Sequence, residues 1–206
     1  SDGVFQDEGL VKMARKILYC VLALWALALT VCCVRKSSEH DSGNPNSILY
    51  QFTYSDCLKM IKNDGSRLLY SADLKNGNDE PVALDSILRS KILVVRYSEL
   101  DCNVCVDTVI TYAARLSSEI GIDRIAVFAK VNSKRDFHLL SRAKRNSLNI
   151  YQANCRITGI DDGGSPYMFV LNEDHTISHL FIPHKEFPNM IAWHLETVKH
   201  YLAHHQ

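Results

Sequence analysis

The stretch Lys91 to Thr108, KILVVRYSELDCNVCVDT, most constrains what this chain can fold into, because an apolar strand runs directly into Cys-x-x-Cys. Ile92, Leu93, Val94 and Val95 show no polar alternation, the pattern of a strand covered on both faces. Beyond the cysteines, Val106, Val109, Ile110, Ala113 and Leu116 recur at helical spacing and leave Asp107, Thr111, Arg115 and Ser118 for solvent, so a helix should begin near Asp101. Cys102 then lies at a helix N-terminus, where unpaired N–H groups and the helix dipole favour a thiolate. Cys105 sits one turn on, so a thiolate at Cys102 has the geometry to attack a disulfide and Cys105 to resolve the mixed disulfide. The competing reading is a disulfide that never turns over. Half of a zinc site is a poorer alternative, since no second Cys-x-x-Cys or Cys-x-x-His follows.

Upstream, Ile17 to Val34, ILYCVLALWALALTVCCV, is free of charge and preceded by Lys12, Arg15 and Lys16. Its 18 residues are short for a spanning helix and long for a signal-peptide core, so anchor and cleaved signal both stand. The anchor is favoured because no small-x-small pattern closes the segment. Leu29-Thr30-Val31-Cys32 has the outline of a lipoprotein signal, but Val31 is larger than the small residue normally found before an acylated cysteine. Met13 followed by Ala-Arg-Lys would make a natural start, which sets residues 1–16 apart as an extension and basic flank. Three basic residues before the segment against Arg35 and Lys36 after it lean towards an N-terminus inside.

Residues 35–47 are polar, with Gly43 and Pro45, and read as a flexible tether. Residues 48–67 form an N-terminal adornment in which Ser55 is placed to cap a short helix carrying Leu58 and Ile61, ended near Gly65, while Ile48 to Tyr54 suits strand or helix. From Leu68 to His204 the pattern sharpens. LLYSADL and PVALDSI flank the turn-rich Lys75 to Glu80 as a hairpin, and Ile125 to Val131 is a second buried-type strand. Ser133 to Asn146 is helical, with Phe137, Leu140 and Ala143 inward and a basic face that reads as a solvated surface. Asn149 to Asn154 suits a short strand. After Gly159 to Ser165 come Pro166, the strand Tyr167 to Leu171, a turn, and Thr176 to Ile182; Phe187, Met190, Ile191, His194, Leu195, Val198, Tyr201 and Leu202 then mark a C-terminal amphipathic helix.

The order hairpin, strand, Cys-x-x-Cys helix, strand, helix, Ser-Pro, hairpin, helix resembles the thioredoxin fold, and within it the membrane-tethered thiol–disulfide oxidoreductases of the TlpA/ResA type. The specific elements are Cys102-Asn103-Val104-Cys105 after an apolar strand and Ser165-Pro166 before YMFVL. The resemblance implies an α/β domain over residues 68–206, with a central mixed sheet flanked by helices and an N-terminal hydrophobic helix before it. It implies Cys102 and Cys105 as catalytic residues, Ser165 and Pro166 as substrate-binding residues, and a cis Ser165–Pro166 bond. Protein thiols and disulfides would be the substrates and an upstream membrane electron donor the partner, in a periplasmic or equivalent compartment. No cofactor and no metal are implied. The chain departs from the family in having Leu100-Asp101 before the first cysteine and Asn103-Val104 between the pair. Glu99 and Asp101 would oppose a Cys102 thiolate unless they serve as helix caps or surface charge, so a nucleophile milder than that of strong oxidants is expected, and reductant or isomerase fits better than oxidase.

Formal net charge is zero; the first 36 residues carry five basic and three acidic side chains, leaving 18 basic against 20 acidic. Nucleic acid is not a partner this balance suggests. Of seven cysteines, Cys20, Cys32 and Cys33 fall in the hydrophobic segment, and Cys57 and Cys155 suit either a second bridge or two thiols. Late histidines, including His175, His179, His184, His194 and His200, keep a copper-binding relative of the fold as an alternative, although such relatives place three residues between their cysteines where this chain has two. A non-catalytic interaction module with a structural disulfide is the other alternative.

Overall fold

The computed structural model describes residues 45–69, 73–144, 146–161 and 164–203; the hydrophobic segment 17–34 lies outside them. Among the described residues no helix is long and apolar enough to cross a membrane. The chain divides into two units, Ser1–Thr53 and Tyr54–Gln206. In the first, the described residues 45–53 are the opening of helix α1, Pro45–Asn63. Segment 48–54, open to strand or helix from sequence, is therefore helical, and Ser55 lies inside the helix instead of capping it. Proline suits a first helical turn because it has no N–H to leave unpaired there. Gly65 ends the helix at φ +78, its N–H donating to Ile177 O at 2.8 Å, and Asp64 Oδ1 accepts the Leu180 N–H at 3.1 Å.

Among the described residues seven strands follow in the sheet order β2-β1-β5-β4-β3-β6-β7. The expected early hairpin is present but brief, with β1 (Leu74–Lys75) and β2 (Pro81–Val82) antiparallel. Its turn is held by Asn76 Oδ1, which accepts the N–H groups of Asn78 and Glu80 at 2.9 and 3.1 Å. The end of PVALDSI is a short helix, α2 (Leu84–Ile87). Next come β3 (Ile92–Ser98), α3 (Asn103–Ile120), a 3₁₀ turn (Ile122–Arg124), β4 (Ile125–Lys130), α4 (Lys134–Lys144) and β5 (Asn149–Ala153). Strands β3, β4 and β5 run parallel; β6 (Tyr167–Leu171) and β7 (Ile177–Phe181) add antiparallel beside β3, and α5 (Pro188–Ala203) closes the fold. Parallel neighbours need crossovers, and α3 and α4 supply them.

Side chains on β3 alternate between two cores. Leu93, Val95 and Tyr97 face the layer built by Val109, Ile110, Ala113 and Leu116 of α3 and Ile191, Leu195, Val198 and Leu202 of α5. Ile92 and Val94 face the other layer, with Leu84, Leu88, Ile157 and Ile160. Phe187 and Met190, assigned inward from their spacing, are instead exposed, as is Ala143 of α4.

The same alternation drives Arg96 into the second layer, where it is 1% exposed. An unpaired guanidinium could not stay there. Its Nε donates to Asp161 Oδ1 at 2.7 Å, Nη1 to Ala153 O at 2.6 Å and Nη2 to Cys155 O at 3.0 Å. Tyr167 Oη also donates to Asp161 Oδ1 at 2.7 Å, and Asp161 Oδ2 takes the backbone N–H groups of Ile157 and Thr158. One carboxylate thereby ties the 155–161 loop to β3 and β6.

No peptide bond among the described residues is cis, so the Ser165–Pro166 bond is trans, against the expectation from family resemblance. Pro166 is buried and leads directly into β6, an extended approach that the intrinsically favoured trans isomer accommodates.

Two outcomes are expected. Asp161→Ala strands the Arg96 charge in an apolar layer, and a denaturant melt should show a loss of about 3–5 kcal/mol. His194 stacks on Phe181 at 4.5 Å with Nε2 buried and unpartnered, and burial pulls its pKa down from 6.5 to about 4. Because the folded value lies below the unfolded one, the neutral ring's contribution is complete above pH 6.5, declines as pH falls and is gone below about 4. Melts across that window should show acid destabilisation on the order of 3 kcal/mol that His194→Leu removes.

Candidate active site

Strand β3 ends at Ser98, and the chain turns through Glu99 to Asp101 before α3 begins at Asn103, with Cys102 as its N-cap residue. The two carboxylates do other work than capping. Asp101 is buried, and its Oδ2 accepts the Ser98 N–H at 2.7 Å, closing the turn. Burial holds its carboxyl above the usual carboxylate range, with the Ser98 N–H partly offsetting this. Glu99 reaches to Asn132 after β4, where Oε2 accepts the backbone N–H at 3.0 Å and Oε1 the side-chain amide. Both are thus committed to fixing the β3-to-α3 turn against β4.

Cys102 is exposed and Cys105 buried, and both are free thiols, as are Cys57 and Cys155. Sequence had left Cys57 and Cys155 open to bridging; no bridge joins them. The Cys102 thiol is pulled below its ordinary pKa, first by the hydrogen bond from the Cys105 side chain and then by the Cys105 and Val104 backbone N–H groups of the opening helical turn, with Lys185 adding its charge. Cys105 is pushed up to about 11, chiefly by burial, then by the hydrogen bond and charge of Cys102. The pair is therefore asymmetric: an accessible sulfur that ionises readily beside a sheltered one that holds its proton.

A recess of about 70 Å³ opens beside Cys105, walled by Val104 and Thr108 of α3, Pro183, His184 and Lys185 from the loop after β7, and Pro188 and Ile191 of α5. The sequence marks this loop only by His184, one of the late histidines, and by the prolines Pro183 and Pro188 between a strand and a helix, and neither signal places it beside Cys105. Ser165 and Pro166 stand immediately before β6, whose pairing with β3 ends at Arg96–Tyr167, the sheet end from which the cysteine turn departs. Ser165 is half-buried, and neither residue lines the recess. Among the described residues no three metal-ligating side chains converge. His200 contacts Glu196 on the exposed face of α5, with Nε2 at 3.2 Å from Oε1.

The mixed sheet flanked by helices fits a thioredoxin-like fold, with the Cys102 and Cys105 thiols at the start of α3. A candidate electron-transfer protein from Aquifex aeolicus VF5 superposes with a TM-score of 0.50 at 10% identity, covering 69% of this chain and 97% of that one. A thiol:disulfide interchange protein from Bacteroides sp. superposes at 0.46 and 13%, covering 69% and 96%, and a Xylella fastidiosa PrxQ at 0.46 and 11%, covering 67% and 92%. At these identities the first likeness is one of fold. No protein-family model and no curated protein matches the chain.

The asymmetry makes a direct expectation. Limiting iodoacetamide at neutral pH should alkylate Cys102 well ahead of Cys105, with Cys105 reacting only as pH climbs towards 11. Lys185→Glu should slow the Cys102 reaction at neutral pH without moving its alkaline limit, read by mass spectrometry of timed samples.

Proposed function

We propose that this chain is a membrane-tethered thiol–disulfide oxidoreductase of the TlpA/ResA type, acting on protein substrates as a reductant or isomerase. The observation that carries the reading is the contrast between exposed, ionisable Cys102 and buried, protonated Cys105 on one helical turn. The Cys102 thiolate attacks one sulfur of a substrate disulfide, and the other leaves as a thiolate. Cys105 then gives up its proton and attacks Cys102 Sγ. The Cys102–substrate bond breaks, the Cys102–Cys105 disulfide forms, and the substrate has gained two electrons and two thiols. An upstream membrane donor of electrons returns the pair to the dithiol. Ser165, half-buried ahead of β6, offers backbone groups for an extended substrate segment, with Pro166 restricting the chain that carries them.

In a dithiothreitol-coupled insulin reduction assay, wild type should accelerate turbidity, Cys102→Ser should lose the activity, and Cys105→Ser should accumulate a mixed disulfide. Pro166→Ala should raise the apparent KM for insulin while leaving Cys102 alkylation unchanged. A pair that, once oxidised, resists reduction until the domain unfolds would sink the proposal in favour of a structural disulfide.

The tether rests on the uncharged run from Ile17 to Val34. The full chain is expected in the membrane fraction, and a chain beginning at Ser42, which keeps all of α1, is expected to be soluble with the Cys102 reactivity intact. Recovery of the shortened chain only as aggregate would assign 17–34 to the globular core.

A further inference from the structure

The resolving step has a difficulty that the cysteine pair alone does not remove. Burial is the leading cause of the high Cys105 pKa, and burial persists after Cys102 has entered a mixed disulfide and lost its charge. Something must accept the Cys105 proton. The nearest carboxylates in sequence are poorly placed for it: Asp107 is on the exposed face of α3, Asp101 is turned back onto the Ser98 N–H at 2.7 Å, and Glu99 holds Asn132.

His184 stands in the wall of the same recess as Cys105. Its side chain is 20% exposed, and its Nε2, fully buried and without an aligned hydrogen bond, lies 3.1 Å from Asp56 Oδ2 on helix α1. Asp56 is itself only 11% exposed at the side chain, and its other oxygen is paired with Lys59 Nζ at 2.6 Å. A buried carboxylate at one ring nitrogen of an imidazole orients the ring and leaves the other nitrogen to work. The charged and titratable groups around His184 are therefore Asp56 and Lys59 on α1, Lys185 and Glu186 on its own loop, and Cys105 on α3; α5 brings Pro188 and Ile191 to the recess.

Building on the exchange reading, we propose that His184, positioned by Asp56, is the base that takes the proton from Cys105 during resolution. Sγ of Cys105 passes its proton to the imidazole and attacks Cys102 Sγ; the substrate sulfur departs with the bonding pair; the imidazolium returns the proton to that sulfur or to solvent. Two electrons move from the dithiol to the substrate, and no further reactant is needed. Helix α1 acquires a part in the chemistry through Asp56.

The test uses the full chain in detergent, reduced, with Cys20, Cys32, Cys33, Cys57 and Cys155 replaced by alanine, mixed in stopped flow with dithiobis(nitrobenzoic acid). Its first nitrothiobenzoate reports attack by Cys102 and its second reports resolution by Cys105. That leaving group departs without a proton, so the second phase reads the removal of the Cys105 proton. His184→Gln should leave the first phase unchanged and slow the second at least roughly ten-fold at neutral pH, a loss that fades at alkaline pH where Cys105 ionises unaided. Asp56→Asn, which keeps the ring, should reproduce part of that loss, and it carries the test if His184→Gln does not fold. An unchanged second phase, or both phases slowed alike at every pH, overturns the assignment. A wild type that releases no second equivalent overturns the exchange reading itself, and this inference with it.

Discussion

The buried ion pair between Arg96 and Asp161 is the interaction on which the rest of the structure depends. A guanidinium in an apolar layer is tolerable only with its donors engaged, and here they reach the carbonyls of Ala153 at the end of β5 and Cys155 beyond it as well as Asp161. Through the Tyr167 hydroxyl the same carboxylate holds the start of β6. The network sits at the sheet end where the cysteine turn leaves β3 and where Ser165 and Pro166 enter β6. Desolvation and the Asp161 charge keep the Tyr167 hydroxyl protonated far above its ordinary range, so it remains a donor and the knot stays closed.

From that fixed end the site is assembled by three elements that are remote in sequence. The β3-to-α3 turn, braced by Asp101 on Ser98 and by Glu99 on Asn132, sets Cys102 at the first turn of a helix. The loop after β7 brings Pro183, His184 and Lys185 against Cys105. Helix α1 reaches the same loop through Asp56 and is joined to β7 by Gly65 and Asp64. Exposure at one sulfur and shelter at the other follow from this arrangement, and the chemistry available to the pair follows from that difference.

The legible parts of the fold were those with local signals. The unbroken run Ile92 to Val95 marked the central strand, and the spacing from Val106 to Leu116 marked the helix behind the cysteines, because period alone separates a doubly covered strand from an amphipathic helix. The hairpins on either side were visible through their turn residues. Helix α1 was ambiguous because its apolar residues do not form a clean stripe, and Leu58 and Ile61 indeed stay exposed at 50% and 75%. Phe187 and Met190 shared the helical period with Ile191 and Leu195, yet they face solvent, since periodicity does not say where a helix meets its neighbour.

The site divides along the same line. Sequence by itself determined that a strand would deliver Cys102 and Cys105 to the start of a helix, because strand, turn and helix are contiguous and each carries its own pattern. Only the tertiary structure decided that Glu99 and Asp101 would brace the turn, that Pro166 would be buried and trans, and that His184 and Lys185 would stand beside Cys105 with Asp56 against His184. These depend on which side chains are brought together across long separations and how far each is removed from water. Both are set by the packing of α1, β7 and α5 against the sheet, and no local pattern records them.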